Sequence, residues 1–518
     1  MLVNKFLLKS AELYPNKEAL VCDSGRYTYK YIIDKVNNFA KLLISQGVKK
    51  RDKVILWLPN SLETVIGIFG SLQAGAVFIV FNHQVKPEKL KYIIEDSGAS
   101  TLITDRNNFS QIGTSLDEFN TLKNYIIKGL QTDSDEIGLR KNILPFDNFS
   151  DFSNYPNNFP RLIDVDLASI IYTSGSTGRP KGAVFTHQNM VAAAISIIEY
   201  LENIPEDIIY NVLPLSFDYG LYQLIMAFKF GGTLVLEKAF TYPYYILKRL
   251  KQEKATGFPI VPVIANILLN LEKLPRYKLP NLRYITNTGQ KIPVKTIKGL
   301  QKAWPHVQIY SMYGLTECKR VAYLPPDKLS KKPESVGQAM PNTEAFLVDE
   351  DGNKINQPNK EGELVVRSAS IMLGYWKRKS ATKEVVKPGE YEGDRWLYTG
   401  DLFKMDEEGD LYFCGRKDAI IKKLGEKVSP REIENVLYKL DDIAEAAVFG
   451  IPDKIAGQAI KAVVSLKKSS NLSPQDIIEH CSKYLEPYMI PKFIDIRSSL
   501  PINPNGKIDK KRLIAAEV

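Results

Sequence analysis

The chain has 518 residues, 44% hydrophobic and 25% charged, proportions that predict a globular protein of two or more domains with ample cores. A net charge of +10 is mild over this length and no block of like charges occurs, so nucleic-acid binding is not indicated; the excess suits acidic small ligands or an acidic partner protein. Cys22, Cys318, Cys414 and Cys481 lie far apart with no C-x-x-C pair, which gives no sign of a zinc site or disulfide framework and fits a reducing, cytoplasmic setting.

Residues 1–18 contain no apolar core of signal-peptide length. The longest apolar stretch, 65–81, is broken by Ser71, Gln73 and three glycines, and it reads as a buried helix and a strand, with no membrane span expected. Residues 34–46 form an amphipathic helix that ends at Gly47. A strand over 53–58 precedes Ser61, which caps a helix with Glu63 in its first turn. A strand over 76–80, a helix from Pro87 to about Gly98 and a strand over 101–104 follow. Strands alternating with helices predict a parallel, wound sheet. Residues 107–161 are polar and poor in pattern, and read as a run over the surface.

Residues 172–182, Y-T-S-G-S-T-G-R-P-K-G, place five hydroxyl residues, three glycines and Lys181 between two short β-runs, 167–171 and 183–186. Glycines let backbone N–H groups turn toward an anion, and hydroxyls and an ammonium add donors, which is what a polyphosphate needs. The spacing is not that of G-x-x-x-x-G-K-[ST], since Gly182 follows Lys181. Downstream, α/β alternation resumes through strands near 207–214, 232–236, 254–262 and 282–288. After Pro333, short runs at 344–348 and 362–367, punctuated by Asp-Gly and Pro, read as antiparallel strands. Past Arg416 a new unit begins, with a helix from Pro430 and strands at 444–449 and 459–466.

Four further motifs carry chemistry. Tyr313-Gly314-Leu315-Thr316-Glu317 follows a strand, where an aromatic can stack on a base, a threonine bond a phosphate and a glutamate offer oxygen to Mg²⁺. Asp401, in Tyr398-Thr399-Gly400-Asp401, suits two vicinal hydroxyls, although an ordinary turn has the same residues. Gly415-Arg416-Lys417-Asp418 comes next. Pro504-Asn505-Gly506-Lys507 stands near the C-terminus, and in isolation reads equally as a surface turn.

In this order, from Ile170 to Lys507, the motifs closely resemble the adenylate-forming superfamily of acyl-CoA synthetases, luciferases and peptide-synthetase adenylation domains. The resemblance implies an α/β fold: a large N-terminal domain of wound sheets plus a small antiparallel β subdomain over 1–417, and a mobile small α+β C-terminal domain over 418–518, hinged at Asp418. It implies an ATP- and Mg²⁺-dependent, AMP-forming ligase. ATP-binding residues would be Thr173, Ser174, Gly175, Ser176, Thr177, Gly178, Lys181, Gly289, Gln290, Lys291, Met312, Tyr313, Gly314, Thr316, Asp401, Phe413 and Arg416, with Glu317 on the metal. Asn287 to Lys291 depart from the family's commoner Gly-Gly-Glu form. Lys507 resembles the catalytic lysine, a cation that bridges carboxylate and α-phosphate as negative charge builds in the transition state. Lys422 and Gly425 fall in the stretch that covers the site and admits the thiol.

The acid is read from Phe217-Asp218-Tyr219-Gly220-Leu221-Tyr222, at a strand-to-helix junction. Asp218 either caps the helix or holds a substrate ammonium, as in amino-acid-activating domains. The string is similar to stand-alone enzymes that load L-proline onto a carrier protein, and to ligases that accompany polysaccharide export systems. The first likeness implies a pocket of Phe217, Asp218, Tyr219, Tyr222 and Met312, with Arg320 facing it or the surface. No carrier segment follows Lys507, so the thiol is expected from a separate phosphopantetheinylated carrier protein or from CoA. The competing expectation is an acyl-CoA ligase for a small non-amino acid.

Overall fold

The computed structural model describes residues 1–112, 119–130, 142–152, 157–173, 180–289, 292–423, 426–453, 457–467, 470–503 and 507–517. Two large sheets form the core of a large N-terminal domain. In one, strands Tyr284–Asn287, Gly257–Ile260, Ile208–Asn211 and Thr233–Leu236 lie side by side in parallel, with Gln308–Tyr313 parallel beside Tyr284–Asn287. The N-terminal strand Glu18–Cys22 pairs with Thr233–Leu236 and so ties the start of the chain to this sheet.

In the second sheet, Val77–Val80, Lys53–Trp57 and Thr101–Asp105 run parallel, as the helix–strand alternation predicts. Ser61 caps the helix Leu62–Gln73 by accepting from the Thr64 amide at 3.3 Å. The 107–161 stretch departs from expectation. Strands Asn124–Lys128 and Asn142–Pro145 extend the second sheet beyond Thr101–Asp105, in parallel. Both are short and set among polar residues, so their pattern is weak; pairing with an existing edge supplies what local periodicity lacks.

The strand Leu167–Thr173 turns back on Lys181–Thr186 as an antiparallel pair, with Thr173 opposite Lys181. The helix His187–Leu201 then starts at a capping box: Thr186 Oγ1 accepts from the Asn189 amide, and Asn189 Oδ1 accepts from the Thr186 amide. Beyond it, Thr343–Val348, Gly362–Ser368, Arg395–Met405 and Leu411–Arg416 form the expected antiparallel sheet. It has its own buried cluster around Val366, Leu397 and Phe403.

A small C-terminal domain contains another sheet, built on the long antiparallel pair Ile443–Asp453 and Gly457–Leu466, with helix Pro430–Leu437 packed against it. Its core, around Ile433, Val448 and Val464, is separate from those of the large domain. All four cysteines are free thiols. Among the described residues, no helix is long and apolar enough to cross a membrane.

Candidate active site

A cavity of about 1120 Å³ opens between the large domain's strand ends and the small domain. Thr173 and Lys181 sit on its wall at the neck of the glycine- and hydroxyl-rich loop, where Thr173 Oγ1 donates to the Lys181 carbonyl at 3.4 Å. Strand Gln308–Tyr313 delivers Met312 and Tyr313 to the same wall, Tyr313 being the strand's last residue. The chain then folds tightly back. The Val321 amide donates to the Tyr313 carbonyl at 3.0 Å, and a Cβ on Gly314 would meet the Lys319 carbonyl oxygen at 2.1 Å, so only glycine fits there.

On the nucleotide side, the Tyr313 hydroxyl donates to Asp401 Oδ2 at 2.5 Å. Arg416 Nη1 pairs with Asp401 Oδ1 at 3.0 Å, while its Nε donates to Asp418 at 3.1 Å. The Arg416 pairing is not aligned as a hydrogen bond, and among the described residues Asp401 Oδ1 is a buried acceptor with no donor. One Asp401 oxygen is thus taken by the tyrosine, and the other, beside Arg416, keeps its capacity to accept a hydrogen bond. Burial raises the Asp401 pKa, against the pull of Arg416 and the Tyr313 bond. Phe413 lies nearly parallel to Tyr313 at 6.5 Å and lines the cavity with it, which gives a planar base a flat aromatic surface.

Glu317 lines the cavity next to Thr316, and its Oε1 accepts from the Tyr375 hydroxyl at 2.7 Å. The Lys181 ammonium lies 5.3 Å from the Tyr375 ring. Tyr375 thus links the loop neck to the one carboxylate expected on a metal. Among the described residues no cluster of three metal-ligating side chains occurs. A carboxylate such as Glu317 suits Mg²⁺, which takes one or two protein carboxylates and fills its shell with water and phosphate oxygens.

A second, smaller cavity of about 50 Å³ adjoins the first, and the two share Gly289, Gly314, Thr316 and Lys507. Phe217, Asp218, Tyr219, Tyr222 and Arg320 all line it, as expected of an acid pocket. Asn60 holds the approach: its Nδ2 donates to the Leu213 and Glu237 carbonyls, and its Oδ1 accepts from the Leu215 amide at 2.8 Å. Phe217, not Asp218, is the cap position of helix Asp218–Phe230, and no side-chain cap bond forms there. Asp218 is the helix's first residue and turns to the pocket. The Tyr219 hydroxyl donates to the Thr286 carbonyl at 2.8 Å, locking the helix to a central strand. Arg320 is buried in the pocket wall, which decides between its two expected placements. Met312 lines only the larger cavity, and its sulfur accepts from the Tyr200 hydroxyl.

Lys507 reaches in from the small domain to the junction of the two cavities. Its backbone is pinned by the Asn503 side chain, which accepts from the Lys507 amide at 3.0 Å. Its ammonium is 5.9 Å from the Phe217 ring. Burial lowers its pKa; Asp218 and Asp401 oppose the shift, and Arg416 adds to it. Two contacts dock the small domain in this pose: the Ser429 hydroxyl donates to the Cys414 carbonyl at 2.6 Å, and Lys295 pairs with Asp441. Asp418 lines the cleft between the strand Leu411–Arg416 and the small domain's first strand, Ile421–Lys423.

Ser174, Gly175, Ser176, Thr177, Gly178, Gln290, Lys291 and Gly425 lie outside the described residues. Lys422 belongs to strand Ile421–Lys423, but its side chain is also outside them. Two functional positions escaped the sequence reading. Tyr375 is 58 residues from the glutamate it bonds, so no local pattern reveals it. Lys319 lines the small pocket; its ammonium donates to the Thr316 carbonyl at 3.2 Å and lies 3.4 Å from the Phe185 ring centroid. Burial lowers its pKa to about 8, while Asp218 and Glu317 pull the other way. A charged residue two places past Glu317 is its only trace in the sequence.

The profile of the AMP-binding enzyme family matches residues 7–376, and that of the AMP-binding enzyme C-terminal domain matches residues 432–507. A long-chain-fatty-acid–CoA ligase of Escherichia coli O157:H7 is 31% identical, with 98% of this chain and 92% of that one covered. Gramicidin S synthase 2 of Brevibacillus brevis is 28% identical over 96% of this chain, which spans 11% of that much longer protein. The crystal structure of the anthranilate CoA ligase AuaEII in complex with anthranoyl-AMP superposes with a TM-score of 0.88 at 25% identity, covering 100% of this chain and 97% of that one. The chain therefore belongs to the AMP-binding enzymes and is an ATP-dependent, AMP-forming ligase that uses ATP and Mg²⁺.

Proposed function

We propose that the protein activates a small, non-amino carboxylic acid and transfers the acyl group to CoA. The observation that carries this reading is the position of Lys507, buried where the nucleotide cavity meets a small acid pocket. A carboxylate in that pocket points its oxygens at the junction. There it attacks the α-phosphorus of ATP, forming the acyl–phosphate bond and breaking the bond to pyrophosphate. The Lys507 ammonium bridges the two negative reactants as charge builds. Asp401 and Arg416 orient the ribose, Tyr313 and Phe413 flank the adenine, and Thr173 and Lys181 face the phosphates. Glu317 would hold Mg²⁺, which would supply positive charge beside the leaving pyrophosphate. The small domain, taken as 418–518, then turns about Asp418. That motion withdraws Lys507 and brings the Lys422–Gly425 stretch to the site, where the thiol displaces AMP.

Pocket size supports a small acid over the long chains named for several relatives. A volume of about 50 Å³ leaves room for only a short acyl group, with the reacting carboxylate at the junction with the larger cavity. The test is formation of AMP, pyrophosphate and an acyl-CoA from a panel of short acids; ADP as product, or no thioester, would reject it.

A second reading rests on Asp218. Its carboxylate faces the pocket, where an α-ammonium could pair with it, as the likeness to a peptide synthetase invites. An amino acid such as L-proline would then pass to a carrier protein. ATP–pyrophosphate exchange driven by amino acids, lost in Asp218→Ala, would favour it.

A further inference from the structure

The small pocket is lined by charges that no apolar acid would balance. Among its described lining residues one is a carboxylate, Asp218, and three are cations, Lys319, Arg320 and Lys507. Asp218 shares this wall with Lys319 and Lys507, so its single charge already faces two cations. Arg320 differs. It is 5% exposed, its guanidinium lies 5.2 Å from the Tyr219 ring, and its Nε is a buried donor with no partner among the described residues. Two more buried polar atoms of the same wall, the Tyr222 hydroxyl and Thr288 Oγ1, are also without partners among the described residues. Leaving a buried donor unmade costs about 1–3 kcal/mol, more for a charged group, so three orphans around one small cavity mark a place built for a polar ligand.

We propose that the acid carries a second carboxylate, a short dicarboxylate held at its far end by Arg320 with Tyr222 and Thr288, while Lys507 meets the reacting end. The charge count agrees. The described lining side chains sum to two positive charges; against these a monocarboxylate leaves one uncompensated and a dicarboxylate leaves none. An amino-acid zwitterion leaves both. An arginine fork also matches a carboxylate in shape, through paired N–H donors. This inference rests on the small-acid reading above, and it names the substrate class of that same pocket.

Calorimetric titration of butanedioate and butanoate into the full chain, with a non-hydrolysable ATP analogue present, tests it without requiring turnover. The expected result is butanedioate binding at least tenfold more tightly, with that ratio falling to about one in Arg320→Met. Arg320→Lys should restore part of the ratio, because charge without the fork still attracts. Equal binding of the two acids, tighter binding of butanoate, or an unchanged ratio in Arg320→Met would overturn the proposal. If Arg320→Met does not fold, Tyr222→Phe provides the second readout and should lower the ratio several-fold; an unchanged ratio there counts against the proposal. Steady-state assays separate the two levels: thioester formed only from monocarboxylates refutes the dicarboxylate and keeps the ligase. No thioester from any acid refutes the CoA-ligase reading and leaves the binding ratio to decide the pocket.

Discussion

A Cβ placed on Gly289 would lie 3.0 Å from Lys507 Cε, a contact between the large domain's strand-end loop and the tip of the small domain. Gly289 also has φ +88°, a conformation that costs other residues about 1–3 kcal/mol. Gly289→Ala should therefore hinder the pose in which Lys507 sits at the cavity junction. We expect ATP–pyrophosphate exchange to fall at least tenfold, with thioester formation from supplied acyl-adenylate largely retained. Equal loss of both half-reactions would mean the contact does not gate the first step.

Removing the ammonium itself should be more severe. Lys507→Ala is expected to lower adenylate formation by about 10²–10³-fold, as loss of a transition-state charge partner does elsewhere. Turnover of supplied adenylate should survive. Because burial lowers the Lys507 pKa, the adenylation rate of the wild type should decline with rising pH earlier than free-lysine titration would produce. A pH–rate profile of exchange checks this.

Lys319 offers a stability test. Its pKa is about 8 in the fold against an ordinary 10.5, so between those values the unfolded chain binds the extra proton. Stability therefore rises with pH across that window, and the cost of burying the charged form is fully present below it. The shift corresponds to ~3 kcal/mol. The difference in unfolding free energy between wild type and Lys319→Met, followed by urea denaturation from pH 7 to 10.5, should change by about that amount in favour of the wild type. A flat difference would mean Lys319 is not buried with its charge.

Asn60 makes three buried hydrogen bonds that hold the segment leading to the pocket. Asn60→Ala strands the Glu237 carbonyl and the Leu215 amide, while the Leu213 carbonyl keeps its bond from Asn211 Nδ2, and should destabilise the large domain by about 2–4 kcal/mol. The same change should raise KM for the acid more than KM for ATP, because the segment leads to Phe217 and Asp218. Urea denaturation and steady-state kinetics measure the two effects.

Much of this protein is readable from short stretches of sequence. The Ser61 and Thr186 caps, the stop at Gly98 and the glycine- and hydroxyl-rich loop between two β-runs depend on residues within a few places of one another, and local geometry is enough to produce them. The order of the motifs from Ile170 to Lys507 was also legible, because each motif is itself a short local string. Folding alone decided the rest. Strands Asn124–Lys128 and Asn142–Pro145 exist because an open sheet edge pairs with them, not because their own residues demand it. Asp218 faces the pocket because Asn60 and Thr286, distant in the chain, fix the loop and helix around it. Lys319 and Arg320 are inside because the turn after Tyr313 closes back on its strand. Lys507 stands at the cavity junction only because a separate domain docks there. Each of these contacts joins residues far apart in sequence, and packing, which acts on neighbours in space, brings them together.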